Sequence, residues 1–170
     1  MSDENYPIVS AAHLASPTSL ELSEFEFGLT IANNSFQRWM LHCSNAAGLS
    51  ELTPQDVLII HHINHRGKAK RIADIGFILN QEDTHTISYS VRKLTSLGLV
   101  EGKKQGKEIF HSTTEQGADF CQRYREVREA CLIKALKAMN MDNEQLGKLA
   151  EMLRTLSGVY DQASRAAASL

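Results

Sequence analysis

Apolar side chains recur along this chain at two spacings, and the change from one to the other outlines the architecture. From Ser19 to Ala47 the positions Leu22, Phe25, Leu29, Ala32, Phe36, Met40 and Cys43 step by three and four, which predicts one long amphipathic helix. Gly48 ends it. Thr53-Pro54-Gln55-Asp56 opens a second helix: Thr53 can cap, Pro54 suits the first turn, and Asp56 favours the positive helix end. That helix runs to about His65 and stops at Gly67. Two shorter helical patterns come next, Arg71 to Leu79 and Thr84 to Leu97. Ile72, Ala73, Ile75 and Leu79 form the inward stripe of the first, with Ala73 small enough for a close helix crossing. Asn80-Gln81-Glu82-Asp83 makes the turn, and Asp83 or Thr84 caps the second helix. In that helix Ile87, Val91, Leu94 and Leu97 point inward, which leaves His85, Ser88, Tyr89 and Arg92 on the outer face.

Beyond Gly98, a helix-ending residue, the spacing shortens. Leu99 to Lys103 and Lys107 to Ser112 read as two short extended segments around Gln105-Gly106, a basic hairpin behind a surface helix. Thr114 then caps another long helix with a stripe of Phe120, Tyr124, Val127, Cys131, Ala135 and Ala138. Asn140 to Asn143 breaks it. A last helix reaches about Ala167, with Leu146, Leu149, Leu153, Leu156, Tyr160, Ala163 and Ala167 in register. The fold class expected is mainly α with a small β-hairpin wing (α+β), a winged helix-turn-helix flanked by long helices. Its parts are a loose polar tail at 1–17, an N-terminal dimerisation helix at 18–51, the winged helix-turn-helix at 52–113 and C-terminal dimerisation helices at 114–170. A helix-turn-helix with its hairpin can close its own core, so the flanking stripes need another surface, and a second copy is the simplest one. The competing arrangement folds those helices back on the module as an intramolecular bundle.

Composition sharpens this in one respect. The formal net charge of −2 is unevenly spread: residues 1–60 carry −6, residues 61–111 carry +4, and residues 112–170 carry none. Five of the seven histidines also lie in 61–111. Positive charge gathered on a helix-turn-helix and hairpin suits a face that meets phosphate. No apolar run approaches the roughly 20 residues needed to span a bilayer. The acidic first 30 residues, broken by Pro7 and Pro17, do not resemble a secretion signal. Three cysteines, Cys43, Cys121 and Cys131, form no disulfide or zinc-ribbon pattern and suit a reducing cytoplasm.

Four local phrases, in order, resemble the MarR family of bacterial winged-helix transcription regulators. They are Leu52-Thr53-Pro54-Gln55, Ile72-Ala73-Asp74, the run Arg92-Lys93-Leu94-Thr95-Ser96-Leu97-Gly98-Leu99-Val100, and Thr114-Glu115-Gln116-Gly117, covering about 65 residues. The resemblance implies a dimer formed by the first and last helices, double-stranded DNA read by the second helix of the pair, and a wing reaching the minor groove. It also implies release of DNA when a small ligand, an oxidant or a metal binds near the dimerisation helices. One departure concerns the wing, where the family commonly carries Asp two residues ahead of Arg. Here Gln105 and Lys107 stand there, and a lysine lacks arginine's planar fork.

The DNA-binding candidates are therefore Thr84, His85, Thr86, Ser88, Tyr89, Arg92 and Lys93 on the second helix, and Lys103, Lys104 and Lys107 on the wing. Lys68, Lys70 and Arg71 are lesser phosphate candidates. His61, His62 and His65 invite a metal reading because His61 and His65 lie one turn apart, but no carboxylate stands at clear ligand spacing. The cysteines fall on or beside apolar stripes, where buried inert thiols are usual. Trp39, Phe25, Phe36, Tyr124 and Tyr160 fit a core better than a ligand cleft. No Gly-rich phosphate loop, GxSxG or Ser/His/Asp pattern points to an enzyme, and no cofactor is implied. The expectation is a homodimeric regulator of transcription in the bacterial cytoplasm, with no membrane partner. The alternatives are a winged-helix protein–protein adaptor and a metal- or redox-responsive regulator.

Overall fold

The computed structural model describes residues 19–170. The tail expected at 1–17 lies outside the described residues. Two compact units are present, one extending to Arg125 and the other spanning Glu126–Leu170.

In the first unit, α1 (Leu20–Ala46), α2 (Pro54–Asn64), α3 (Ile72–Leu79) and α4 (Thr84–Ser96) lead into a hairpin of β1 (Val100–Gln105) and β2 (Glu108–Thr113), followed by α5 (Glu115–Arg128). The core is built from Val57, Ile59, Ile60 and Ile63 of α2, Ile75 of α3, Ile87 and Leu94 of α4, Leu99, Val100 and Phe120, all essentially sealed from water. The predicted hairpin is antiparallel and pairs Val100 with Thr113 through to Gln105 with Glu108. The mainly helical fold with a small wing is the one expected.

Local chemistry explains the joints. Thr53 and Asp56 form a reciprocal cap: the Thr53 amide donates to Asp56 Oδ2 at 2.8 Å, and the Asp56 amide donates to Thr53 Oγ1 at 3.2 Å. Helix α4 closes through Leu99 N–H to the Leu94 carbonyl and Gly98 N–H to the Thr95 carbonyl, both 3.0 Å. That pair of bonds needs a left-handed residue, and Gly98 supplies it with φ 71°. The phrase Thr114 to Gly117 has an equally specific cause. Thr114 Oγ1 accepts from the Gly117 amide at 3.1 Å and caps α5. A Cβ on Gly117 would stand 2.0 Å from the Leu99 carbonyl oxygen, so only glycine lets α5 start so close to the wing's root.

Two expectations change. The close crossing on α3 is made at Gly76, where a Cβ would lie 3.1 Å from Ile87, while Ala73 is exposed. The C-terminal end of α1 (Met40, Cys43, Ala47) and the start of α5 (Phe120, Cys121, Tyr124) are buried in the first unit. The module does not close its core with 52–113 alone. Most of the α1 stripe, by contrast, is uncovered, with Leu22, Leu29 and Phe36 exposed.

In the second unit a π turn, Glu129–Ile133, succeeds α5 and continues into α6 (Lys134–Ala138). A π turn adds a residue to the helical repeat and rotates the next segment by about 100°. Cys131, Ala135 and Ala138, expected inward, are therefore exposed, while Leu132, Ile133 and Leu136 are half-buried. Asp142 caps α7 (Asn143–Ala167) by accepting from the Gln145 amide at 2.7 Å. No side chain of α7 is buried. Among the described residues, no helix is long and apolar enough to cross a membrane.

Candidate nucleic-acid interface

Helix α4 is anchored at its N-terminus by Asp83, whose carboxylate accepts from the His85 amide at 2.9 Å and from the Thr86 hydroxyl. These two bonds hold the Asp83 carboxyl below the ordinary carboxylate range. With Ile87, Ser90, Val91 and Leu94 buried, the helix turns Thr84, His85, Thr86, Tyr89 and Arg92 to solvent. Tyr89 is 66% exposed, unusual for an aromatic that could pack. Ser88 is half-buried and spends its hydroxyl on the Thr84 carbonyl at 2.7 Å. Thr86 is likewise occupied by Asp83. Arg92 has no ion-pair partner among the described residues.

Lys93 departs from the expected role. Its ammonium donates to Asp56 Oδ2 at 2.7 Å and to the Glu51 carbonyl, and its side chain is only 25% exposed. It points to α2, away from the outer face. Burial opposes ionisation of Asp56, but Lys93, the Thr53 amide and the hydroxyls of Ser90 and Thr53 outweigh it and hold the carboxyl below its usual range. Sequence spacing shows Lys93 beside Arg92; the acid at position 56, on a helix that packs against α4, is the signal for its real partner.

On the wing, Lys103, Lys104 and Lys107 are all exposed and without an ion-pair partner among the described residues. The register separates them. Cross-strand partners share a face and successive residues alternate. Lys104 opposite Ile109 shares the face of Gly102 and His111, whereas Lys103 opposite Phe110 lies on the other. Ile109 and His111 face a cleft of about 450 Å³ whose opposite wall includes Ser88, Val91 and Arg92. Lys104 thus lies on the wing face that turns Ile109 and His111 to this cleft, and Lys103 lies on the other.

The wing is tied down at two points. Midway along β2, Lys70 and His111 exchange backbone hydrogen bonds, both 2.8 Å. Near its tip, the Arg71 guanidinium donates to Asp74 at 2.8 and 3.0 Å and to Glu108 Oε1 at 2.9 Å. Bonding to Asp74 and then Glu108 raises the Arg71 pKa above its usual value. Arg71 is thus already engaged, and the Lys70 ammonium is held by the His65 and Lys68 carbonyls. Lys68 is exposed.

The histidines do not assemble a metal site. His61 packs edge-on against Tyr124 with ring centroids 4.5 Å apart, and burial lowers its pKa. His62 is shifted down by burial and then by Lys70 and His65. No cluster of metal-ligating side chains occurs among the described residues. Burial pushes the Cys121 thiol up to about 12, the opposite of what a reactive cysteine needs.

Residues 52–117 match the family described as winged helix DNA-binding domain. Solved structures align over most of the chain. NMB1585, a MarR family regulator from Neisseria meningitidis, is 17% identical with a TM-score of 0.67, covering 84% of this chain and 95% of that one. The chain is a winged-helix protein with the fold of the MarR regulators. Streptococcus pneumoniae FabT, solved in complex with DNA, is 13% identical with a TM-score of 0.64 over 83% of this chain and 98% of its own. CouR from Rhodococcus jostii RHA1, bound to p-coumaroyl-CoA, is 12% identical with a TM-score of 0.65 over 78% and 90%. Comparison with curated proteins finds no match. The winged-helix DNA-binding class is a binding class and not an enzymatic one, in keeping with the sequence.

Proposed function

We propose that this MarR-fold chain is a homodimeric, sequence-specific DNA-binding regulator of transcription that answers to a small ligand. The observation carrying this reading is the outer face of α4, where His85, Tyr89 and Arg92 are exposed, and where Arg92 shares a cleft with Ile109 and His111 of the wing face that carries Lys104. In the major groove Arg92 can pair with guanine while Tyr89 and His85 reach base edges or phosphate. Lys104 and Lys107 of the wing add sequence-independent attraction to the backbone. The DNA-bound state of FabT supports the partner.

The dimer is supported by apolar side chains that a lone copy leaves in water: Leu29, Ile31 and Phe36 on α1, and Leu149, Met152 and Val159 on α7. A two-fold pair reads half-sites about 34–36 Å apart. A ligand that favours one spacing of the two recognition helices shifts the population toward or away from the bound form. The ligand-bound state of CouR supports that part of the proposal. Selection of bound fragments from random duplex DNA, with light scattering on the same sample, tests the reading. Recovery of an inverted repeat by a particle of twice the chain mass is expected. A monomer, or no enrichment over random sequence, overturns it.

A further inference from the structure

Arg71 occupies the N-cap of α3, with extended backbone at φ −86° and ψ 158°. Side chains that accept a hydrogen bond are preferred there, and a guanidinium accepts none. Asp74 fills the capping role instead, accepting the Arg71 amide at 3.1 Å. The arginine side chain, not needed as a cap, grips the Asp74 carboxylate and extends to Glu108, the first residue of β2 and the paired position next to the turn.

That reach matters because of what lies between the two elements. The Lys70–His111 bridge holds the hairpin at its middle, three residues short of Glu108. Toward the tip, Ile109 of β2 and Ser88 and Arg92 of α4 line a common cleft. The bond from Arg71 to Glu108 ties the tip to the helix-turn-helix beside that cleft. We infer that Arg71 is a positioning residue for DNA binding, a two-carboxylate clamp that sets the wing's stance beside the recognition helix. Its planar fork engages Asp74 through two nitrogens and still leaves a third for Glu108, a geometry lysine cannot reproduce. The wing's Gln105 and Lys107, which replace the family's Asp and Arg, leave the hairpin without an internal ion pair at those places, and the clamp acts from outside it.

This inference rests on the DNA-binding reading, and the test separates the two. Duplex selected from random DNA by the wild-type chain is the probe, and Arg71→Gln, Glu108→Gln and the double variant Lys104→Ala/Lys107→Ala are titrated against it, alone and combined. If the well-placed wing falls to a tenth of the population, apparent affinity falls about tenfold. Arg71→Gln and Glu108→Gln should each weaken binding by about that factor, with unchanged circular dichroism. In either background the lysine variant should cost little more, because a misplaced wing no longer delivers those charges. Glu108→Gln that binds as well as or better than wild type overturns the clamp, since it would make Arg71 a direct phosphate contact relieved of a competing carboxylate. Full additivity of the lysine and Arg71 losses also overturns it. Wild-type protein that selects no duplex refutes the DNA-binding reading itself.

Discussion

Lys93 of the recognition helix is bonded at 2.7 Å to Asp56, a carboxylate that is 1% exposed in the first turn of α2. One carboxyl group therefore caps α2 and anchors α4. Lys93→Met would strand a buried charge, which costs about 3–5 kcal/mol. Adding Asp56→Asn should recover much of the loss, because the amide oxygen still accepts from Thr53 without the uncompensated charge. Chemical denaturation measures both. Asp56 titrates below its ordinary value in the folded state, so its contribution is present above about pH 3.8 and disappears as pH falls further.

Gly117→Ala should be among the most damaging single substitutions. Its Cβ would sit 2.0 Å from the Leu99 carbonyl oxygen, which belongs to the backbone and cannot swing aside. The start of α5 and the wing's root would have to separate, at roughly 3 kcal/mol. Gly147→Ala, where nothing lies within 4 Å of the new methyl, is the control. Thermal unfolding of the pair should show a large drop for the first and a neutral or raised midpoint for the second.

His61 gives the fold a pH dependence near neutrality. Burial lowers its folded-state pKa below the unfolded value of 6.5, so the unfolded chain takes up a proton first as pH falls. Stability therefore declines from about pH 6.5 downward until the folded pKa is reached, by up to about 1.4 kcal/mol per pH unit. Denaturation series at pH 7.5 and 5.5 should show a smaller loss for His61→Phe than for wild type. His62 and His111, also lowered by burial, leave a residual slope in the variant.

On selected duplex, Arg92→Ala should cost about 1–3 kcal/mol and relax sequence preference at one position. The wing lysines should behave unequally. Lys104→Ala, on the face shared with His111, should reduce the slope of log affinity against log salt by about 0.9, and Lys103→Ala should leave it unchanged. Gel-shift titrations at several salt concentrations decide the matter; equal slopes for the two variants would contradict the register argument.

Much of this architecture is legible in the residues themselves. Periodicity locates α1, α4 and α7 to within a residue or two, and in α4 the striped positions Ile87, Val91 and Leu94 are among those that seal the core. Turn chemistry at Asp83, Gly98 and Thr114 marks the joints. Periodicity cannot carry anything set by a neighbour distant in sequence. Lys93 and Arg92 are adjacent and alike in charge, and only the fold brings Asp56 to one of them. Arg71 has the chemistry of a phosphate contact, yet Glu108, 37 residues away, holds it. Beyond Glu129 the helical phase itself changes, and a stripe counted at 3.6 residues per turn runs onto the wrong side.

A helix of 25 residues that covers none of its own side chains has a biological cost as well as a use. Each newly made chain displays Leu149, Met152 and Val159 to whatever it meets, and hydrophobic surface of this kind adheres indiscriminately. On the proposed dimer, supply then governs fate: plentiful copies would find one another, and scarce ones would offer the same side chains to chaperones and proteases. The cell's dose of this chain is thereby coupled to how much of it survives.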